Sequence, residues 1–295
     1  MAILPQTSPV PNPILIFMPE STSTSGLPPP GPTPSTLPPA DRGTSGPPRE
    51  ADEGPESSRP VFPAPKLRLE IRDLSHRGAA VFLSSVNVAD VLSAAVGRVQ
   101  RLLYRSPGDH TTNLPPTRSV TVVLRDMDGV AYTTGSDLDA DHKEIHFSLG
   151  YIESTARGGR AGHEITGVLT HELVHCYQWN VRGSCPGGLI EGIADWVRLC
   201  CDLSPPHWKR ETDGKWDRGY QHTAYFLEYL ESRFGEGTVR RINEKLRLES
   251  YQEKQFWTEL LGRPVGLLWE DYVGLSNGDG GVTRSRSTVD EGTQT

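Results

Sequence analysis

The sequence lacks any excess of basic residues: 30 Lys and Arg stand against 37 Asp and Glu, giving a net charge of −7. Proteins that bind nucleic acid or anionic membrane surfaces through electrostatics present a basic face. We therefore expect no nucleic-acid partner. The chain also lacks an apolar run near the ~20 residues that a membrane-spanning helix needs, so we expect no membrane span.

The beginning of the chain lacks the features of a secretory signal peptide. Such a peptide combines a basic start with an apolar stretch of about 7–15 residues. The apolar run here, Ile14 to Met18, lies between prolines and has no basic residue before it. The cytoplasm is therefore the default prediction for the compartment.

Cysteine is scarce, with four residues at positions 176, 185, 200 and 201. No two of them form a CxxC pair, which argues against a structural zinc knuckle. Without a secretory signal we expect free thiols. A Cys176–Cys185 or a Cys185–Cys200 disulfide stays open on spacing alone.

Proline is abundant but confined to one part of the chain, because 18 of the 25 prolines lie within residues 1–65. Such a segment has too little apolar surface to offset the entropy of chain ordering. We predict disorder at residues 1–60 and at the polar end, residues 276–295. Residues 61–275 remain, which is enough for one domain with its own core.

Within residues 61–275 the hydrophobic pattern places strands first. Alternating or β-branched segments predict strands at 66–71, 119–124, 130–133 and 144–149, with 81–83 as a further strand or a short lead-in. A helix of about seventeen residues follows Asn87, its expected N-cap.

Helical patterns alone follow residue 202, at residues 220–234, 239–248, 251–261 and 267–273. Strands first and helices afterwards are typical of an α+β fold. We predict a small mixed sheet packed against helices, with a helical C-terminal half.

Residues 171–175 read HELVH, an HExxH motif in a segment with a helical pattern. Side chains four residues apart share a helix face, so His171 and His175 can bind one metal ion. Glu172 can then take a proton from a water that the ion activates. The surrounding positions are apolar and predict a buried helix: Val168, Leu169, Leu173 and Val174. Buried His and Glu side chains need polar partners, which a metal ion provides.

A catalytic zinc ion takes three protein ligands and leaves one position open. A third His at the metzincin spacing is excluded because position 181 is Val. Glu191 and Asp195 lie four residues apart in an otherwise apolar helical segment. The first is the candidate third ligand, and the second can accept a hydrogen bond from a ligand His. His207, in the segment PPHW, is the competing third ligand.

The sequence resembles the basic secretory protein family, peptidases of plants and bacteria, in GVLTHELVHCYQWN, PGGLIEGIADWVRL, PPHW and WDRGYQHTAYFLEYL. The resemblance spans residues 66–275 and implies a zincin-like metallopeptidase fold, a zinc ion and endopeptidase activity linked to plant defence. The family's HExxH corresponds to His171, Glu172 and His175, and its acidic pair to Glu191 and Asp195. The family is named for basic, secreted proteins, so the resemblance suggests secretion, whereas this chain is acidic.

These observations predict a zinc-dependent metalloendopeptidase with Glu172 as the general base. Tyr220 and His222 are candidate donors to the developing oxyanion, although Tyr220 suits a core position equally well. Residues 145–149 are expected to form the sheet edge to which a polypeptide substrate adds. We expect a monomer.

A zinc-stabilised binding or defence-type protein with little or no turnover is the alternative function. A metal-dependent hydrolase that acts on another substrate class is the third. The sequence leaves open the substrate, the cleavage preference and the role of the proline-rich extension.

Overall fold

A computed structural model describes residues 61–136, 138–247 and 250–278 of the chain. Over these residues the elements in chain order are β1 (Lys66–Ile71), α1 (Arg77–Ser85), α2 (Val88–Leu103), β2 (Ser119–Arg125), β3 (Ala131–Ser136), β4 (Asp139–Ser148), α3 (Leu149–Thr155), α4 (Ala161–His175), α5 (Gly187–Cys200), α6 (Tyr220–Phe234), α7 (Thr238–Lys245), α8 (Glu253–Leu261) and α9 (Val265–Gly278). The predicted α+β fold with a helical C-terminal half is confirmed.

The four strands form one mixed sheet in the order β1-β2-β4-β3. Strand β2 pairs in parallel with β1 and β4, whereas β3 pairs antiparallel with β4. The parallel β1–β2 pair needs a long crossover, which α1 and α2 supply. This order leaves β1 and β3 at the two edges of the sheet.

The prediction that residues 145–149 form a sheet edge is wrong. Residues 145–148 belong to β4, which lies between β2 and β3, and Leu149 begins α3. The alternating pattern identified the strand correctly, but strand order depends on long-range pairing that such a pattern does not encode. The edge on this side of the sheet is β3.

One face of the sheet is buried beneath the helices. Its fully buried side chains come from the two central strands: Val120, Val122, Leu124, Ile145 and Phe147. Thr133 on β3 pairs with Ile145, so its side chain points to the same face. Helix α4 contacts β3 and β4 there, and the edge strand therefore lies beside the helix that carries HExxH.

Residues 81–83 lie in α1 rather than in a strand. Ala79 and Phe82, three positions apart, are both buried and give the segment a helical apolar face. The ring nitrogen Nδ1 of His76 accepts a hydrogen bond of 2.9 Å from the backbone N–H of Gly78 and caps the helix. The three-residue run was too short to distinguish the two periodicities.

Disorder is predicted for residues 1–60 and 276–295, of which residues 1–60 and 279–295 lie outside the described residues. Helix α9 continues to Gly278, beyond the predicted domain end at residue 275. The four cysteines are free thiols, as expected.

Among the described helices, none is by itself long and apolar enough to cross a membrane. Helices α1 and α2 meet that test only as a pair, with a bend of 67° between them.

Candidate metal centre

Helix α4 brings three of the predicted site residues to one place. His171, Glu172 and His175 lie in its last two turns, where the helix packs against α2 and α5. Glu172 is only 6% exposed. Residues 167–174 of the helix are all buried, so the polar side chains among them must find partners within the protein.

Helix α5 supplies the third candidate ligand. The Nε2 atom of His171 lies 3.1 Å from Oε2 of Glu191 and 3.2 Å from Nε2 of His175. The Nε2 atom of His175 lies 3.7 Å from the same Glu191 oxygen. Two zinc ligands at ~2.0–2.1 Å and tetrahedral angles stand about 3.4 Å apart. The spacing of the three side chains therefore fits one tetrahedral ion.

The chemical types of the three donor atoms also fit a zinc ion. Two imidazole nitrogens and one carboxylate oxygen are a set that catalytic zinc takes, with a fourth position left for water or substrate. His171, His175 and Glu191 each offer one ligand atom, and these three atoms lie within 4.8 Å of one another. His207 is not part of this group. Its side chain is exposed in the segment between α5 and α6.

Asp195, one turn further along α5, contacts the other nitrogen of His171. Its Oδ1 atom lies 2.7 Å from Nδ1 of His171, and the carboxylate is only 3% exposed. Nδ1–H donates to this carboxylate, which orients the ring and directs Nε2 toward Glu191 and His175. The spacing of Glu191 and Asp195 on one helix face makes both contacts possible at once.

The charges at the centre favour a cation. Burial opposes a charge on His171, but its hydrogen bonds to Asp195 and Glu191 outweigh burial and raise the pKa of this imidazole. Burial also opposes a charge on Glu191, yet its bonds with His171 and His175 hold the pKa of this carboxyl well below its usual range. An ionised Glu191 therefore lies beside the two imidazoles.

Thr133 is a contact of the site that sequence reasoning missed. Its hydroxyl oxygen lies 2.7 Å from Oε2 of Glu172 and 2.9 Å from the backbone oxygen of the same residue. The two residues are 39 positions apart, and the order of the strands brings them together. No local pattern in residues 130–133 could have indicated this contact, because it depends on the order of the strands in the sheet.

Tyr220 lies over the candidate ligands at the start of α6. Its ring stacks on the ring of His171, with 6.2 Å between the centroids and 15° between the planes. The side chain is 48% exposed, so a core role is excluded. Partial burial, with Glu191, Asp195 and Glu172 nearby, raises the pKa of the phenol, which keeps the hydroxyl protonated at neutral pH.

The backbone before Tyr220 is held close to α5. Gly219 has φ +88°, and a Cβ there would stand 3.3 Å from Cα of Gly188 and 3.5 Å from Cβ of Glu191. Tyr220 itself has φ +47°, an uncommon value for a side chain of this size. Glycine at position 219 therefore allows the chain to bring Tyr220 onto the site.

His222 does not reach the centre formed by α4 and α5. It is 3% exposed, and its Nε2–H donates to the carbonyl of Lys215 at 2.9 Å. Its neighbouring acids are Glu211 and Asp213. Arg218 donates to Asp213 at 2.7 Å and supplies a cation there already, so we assign no metal to this second group.

The chain matches the family described as peptidases of plants and bacteria over residues 64–272. This match covers more than half of the chain, and the chain therefore belongs to that family, the basic secretory protein family that its motifs resemble. No curated protein and no solved structure matches the chain. The family is one of peptidases, which implies a polypeptide substrate.

Proposed function

We propose that this protein is a zinc-dependent metallopeptidase that cleaves bonds within polypeptides. The observation that carries the proposal is the group formed by His171, His175 and Glu191, whose ligand atoms lie within 4.8 Å of one another. Glu172 stands beside this group on the same helix. A zincin-like arrangement, with the helix of the HExxH motif beneath the edge of a sheet, agrees with these positions.

His171, His175 and Glu191 would hold the zinc ion, and Asp195 would orient His171. When bound, the ion supplies Lewis-acid polarisation of the scissile carbonyl and lowers the pKa of a water molecule. Glu172 takes the proton of the attacking water and passes it to the leaving amine. The low exposure of this carboxylate limits competition from bulk water for the same proton.

Tyr220 is the donor that we assign to the developing oxyanion. Its phenol is protonated at neutral pH and lies next to His171 without being buried. A donor of this kind stabilises the transition state more than the ground state, and so acts mainly on kcat. His222 is not assigned this role because it is buried against Lys215.

Strand β3 is the edge to which we assign the extended substrate. Among the described residues it pairs with β4 on one side only, so its other side offers backbone N–H and C=O groups to a peptide. Its residue Thr133 contacts Glu172, which places this strand directly beside the general base. A peptide paired with β3 would pass across the face of the site.

Metal analysis of purified variants tests the ligand assignment. The parent protein is expected to bind one zinc ion per chain, Glu191→Ala less than one, and His207→Ala one, as the parent does. Glu172→Gln is expected to retain zinc and lose at least about a hundredfold of the activity on denatured casein. Full zinc binding by Glu191→Ala together with its loss in His207→Ala would overturn the assignment.

The same experiment separates peptidase activity from the alternative function. Stoichiometric zinc in a parent protein that leaves casein intact would favour a zinc-stabilised binding protein. Full activity of Glu172→Gln would contradict the mechanism even if the ligands are correct.

A further inference from the structure

We propose that Thr133 is a positioning residue that holds the carboxylate of Glu172 in the orientation required for proton transfer. The inference rests on the proposed function, because it concerns the residue assigned as general base. It adds a link between that base and the edge strand β3.

The contact is short and has two acceptors. The Thr133 hydroxyl oxygen lies 2.7 Å from Oε2 and 2.9 Å from the backbone oxygen of Glu172. A hydroxyl carries a single proton, so it can donate fully to only one of these two oxygens at a time. The choice between them decides whether Thr133 orients the base or only completes the end of a helix.

The carbonyl of Glu172 lies in the last turn of α4. Its usual partner, the backbone N–H of Cys176, turns instead to the carbonyls of Leu173 and Val174. The Cys176 thiol lies 3.6 Å from the Glu172 carbonyl and offers it a weak donor. The carbonyl therefore has a donor besides Thr133.

The carboxylate is the better acceptor for the Thr133 proton. A hydrogen bond to an ionised carboxylate is about twice as strong as one between neutral groups. The O–O distance to the carboxylate is also the shorter of the two. We therefore infer that Thr133 donates to Oε2 and fixes that oxygen, which leaves the rest of the carboxylate to meet the attacking water.

The register of the sheet makes this contact specific to position 133. Thr133 is paired with Ile145, which faces the core, whereas the side chain of Thr134 is exposed and donates to the carbonyl of Gly135 at 3.3 Å. Side chains alternate between faces along a strand, so only one of the two threonines can reach α4. Thr134 therefore cannot hold the Glu172 carboxylate in place of Thr133.

Thr133→Val keeps the shape of the side chain and removes the hydroxyl. We expect kcat on a peptide substrate to fall roughly 10–100-fold, the usual cost of removing a partner of a catalytic group, with KM changed less than about twofold. Thr133→Ser restores the donor and is expected to recover most of kcat. Thr258→Val, which removes an exposed hydroxyl on α8, should match the parent in both constants.

Crystal structures of the parent and the variants provide a readout that does not depend on turnover. The Glu172 carboxylate should keep one orientation in the parent and in Thr133→Ser, and should turn or occupy several orientations in Thr133→Val. Either an unchanged kcat or an unchanged carboxylate orientation in Thr133→Val would overturn the inference. If Thr133→Val does not fold, Thr133→Ala is measured against Thr133→Ser in the same way.

The outcomes also separate this inference from the proposed function. If Glu172→Gln has the activity of the parent, Glu172 is not the base and the proposed mechanism fails. If Glu172→Gln is inactive and Thr133→Val retains the kcat of the parent, the mechanism stands and the role of Thr133 fails.

Discussion

The imidazole of His171 is the residue on which the centre depends, because each of its nitrogens has a different partner. Nδ1 lies 2.7 Å from Asp195, and Nε2 lies 3.1 Å from Glu191. The helical spacing of Glu191 and Asp195 predicted that one helix could supply both a metal ligand and a hydrogen-bond acceptor for a ligand His. The structure adds the distances and the stacked ring of Tyr220.

Asp195→Ala removes the acceptor that orients His171. We expect the zinc affinity to fall about 10–100-fold, the usual cost of losing such a partner. Competition with a chromophoric chelator measures the affinity, and replacement of Asp90, an exposed acid on α2, is the control. An unchanged affinity in Asp195→Ala would show that the ring is oriented by other contacts.

Tyr220→Phe removes the phenol hydroxyl and keeps the ring on His171. We expect kcat to fall about a hundredfold with little change in KM, because the hydroxyl acts on charge that develops in the transition state. Steady-state kinetics on a fluorogenic peptide checks this. Tyr225→Phe, on the same helix, should leave both constants unchanged. A change confined to KM in Tyr220→Phe would assign the hydroxyl to substrate binding instead.

Zinc binding should release a proton at neutral pH. The bonds of His171 to Asp195 and Glu191 outweigh burial and raise the pKa of the metal-free imidazole from 6.5 to about 10. The ring is therefore protonated at pH 7, and zinc must displace about one proton. The affinity should then rise about tenfold per pH unit below that pKa. Calorimetry in buffers of different ionisation enthalpy counts the protons, and a count of zero would contradict the expectation.

The element that organises the site is the pair α4 and α5, joined by the segment 176–186. Glycine residues let α5 approach the chain that leads to Tyr220. A Cβ on Gly188 would stand 1.7 Å from the backbone oxygen of Asp217, whereas one on Gly187 would meet nothing within 4 Å. Adjacent glycines at the same helix start therefore have different structural roles.

Gly188→Ala should destabilise the protein, and Gly187→Ala should not. Overpacking of this kind costs about 1–3 kcal/mol, which lowers Tm by several degrees in a domain of this size. Thermal unfolding followed by circular dichroism measures both variants. Equal Tm values for the two would contradict the close packing of α5 against residues 217–219.

The hydrophobic pattern of the sequence correctly predicted the helices and strands that have long periodic segments. It did not predict features that depend on which strands pair with one another. Strand β1 and helix α6 have the predicted bounds because each carries an uninterrupted apolar pattern. Residues 81–83 were too few to reveal the period of α1. The edge position of β3 and the contact of Thr133 with Glu172 depend on strand order, which no local pattern contains.

At the scale of the whole molecule, one ion would join two consecutive helices, α4 and α5. His171 and His175 lie on α4, and Glu191 lies on α5. An ion bound only by the folded chain stabilises it by RT ln(1 + [L]/Kd), about 4 kcal/mol at a thousandfold excess over Kd.

Removal of zinc with a chelator should therefore lower Tm by roughly 10 °C, and added zinc should restore it. Glu191→Ala should show a much smaller shift than the parent. A Tm that does not respond to zinc in the parent would contradict a site that joins α4 and α5. Calorimetry of the parent and the variant, each with and without chelator, provides the comparison.

The central claim is that His171, His175 and Glu191 hold a zinc ion on which peptide hydrolysis depends. Its most direct test is the rate of casein hydrolysis by metal-free protein titrated with zinc. The account predicts no hydrolysis without metal and a rate that rises until one equivalent of zinc is bound. Hydrolysis that proceeds equally without metal, or no hydrolysis at any zinc concentration, would contradict it.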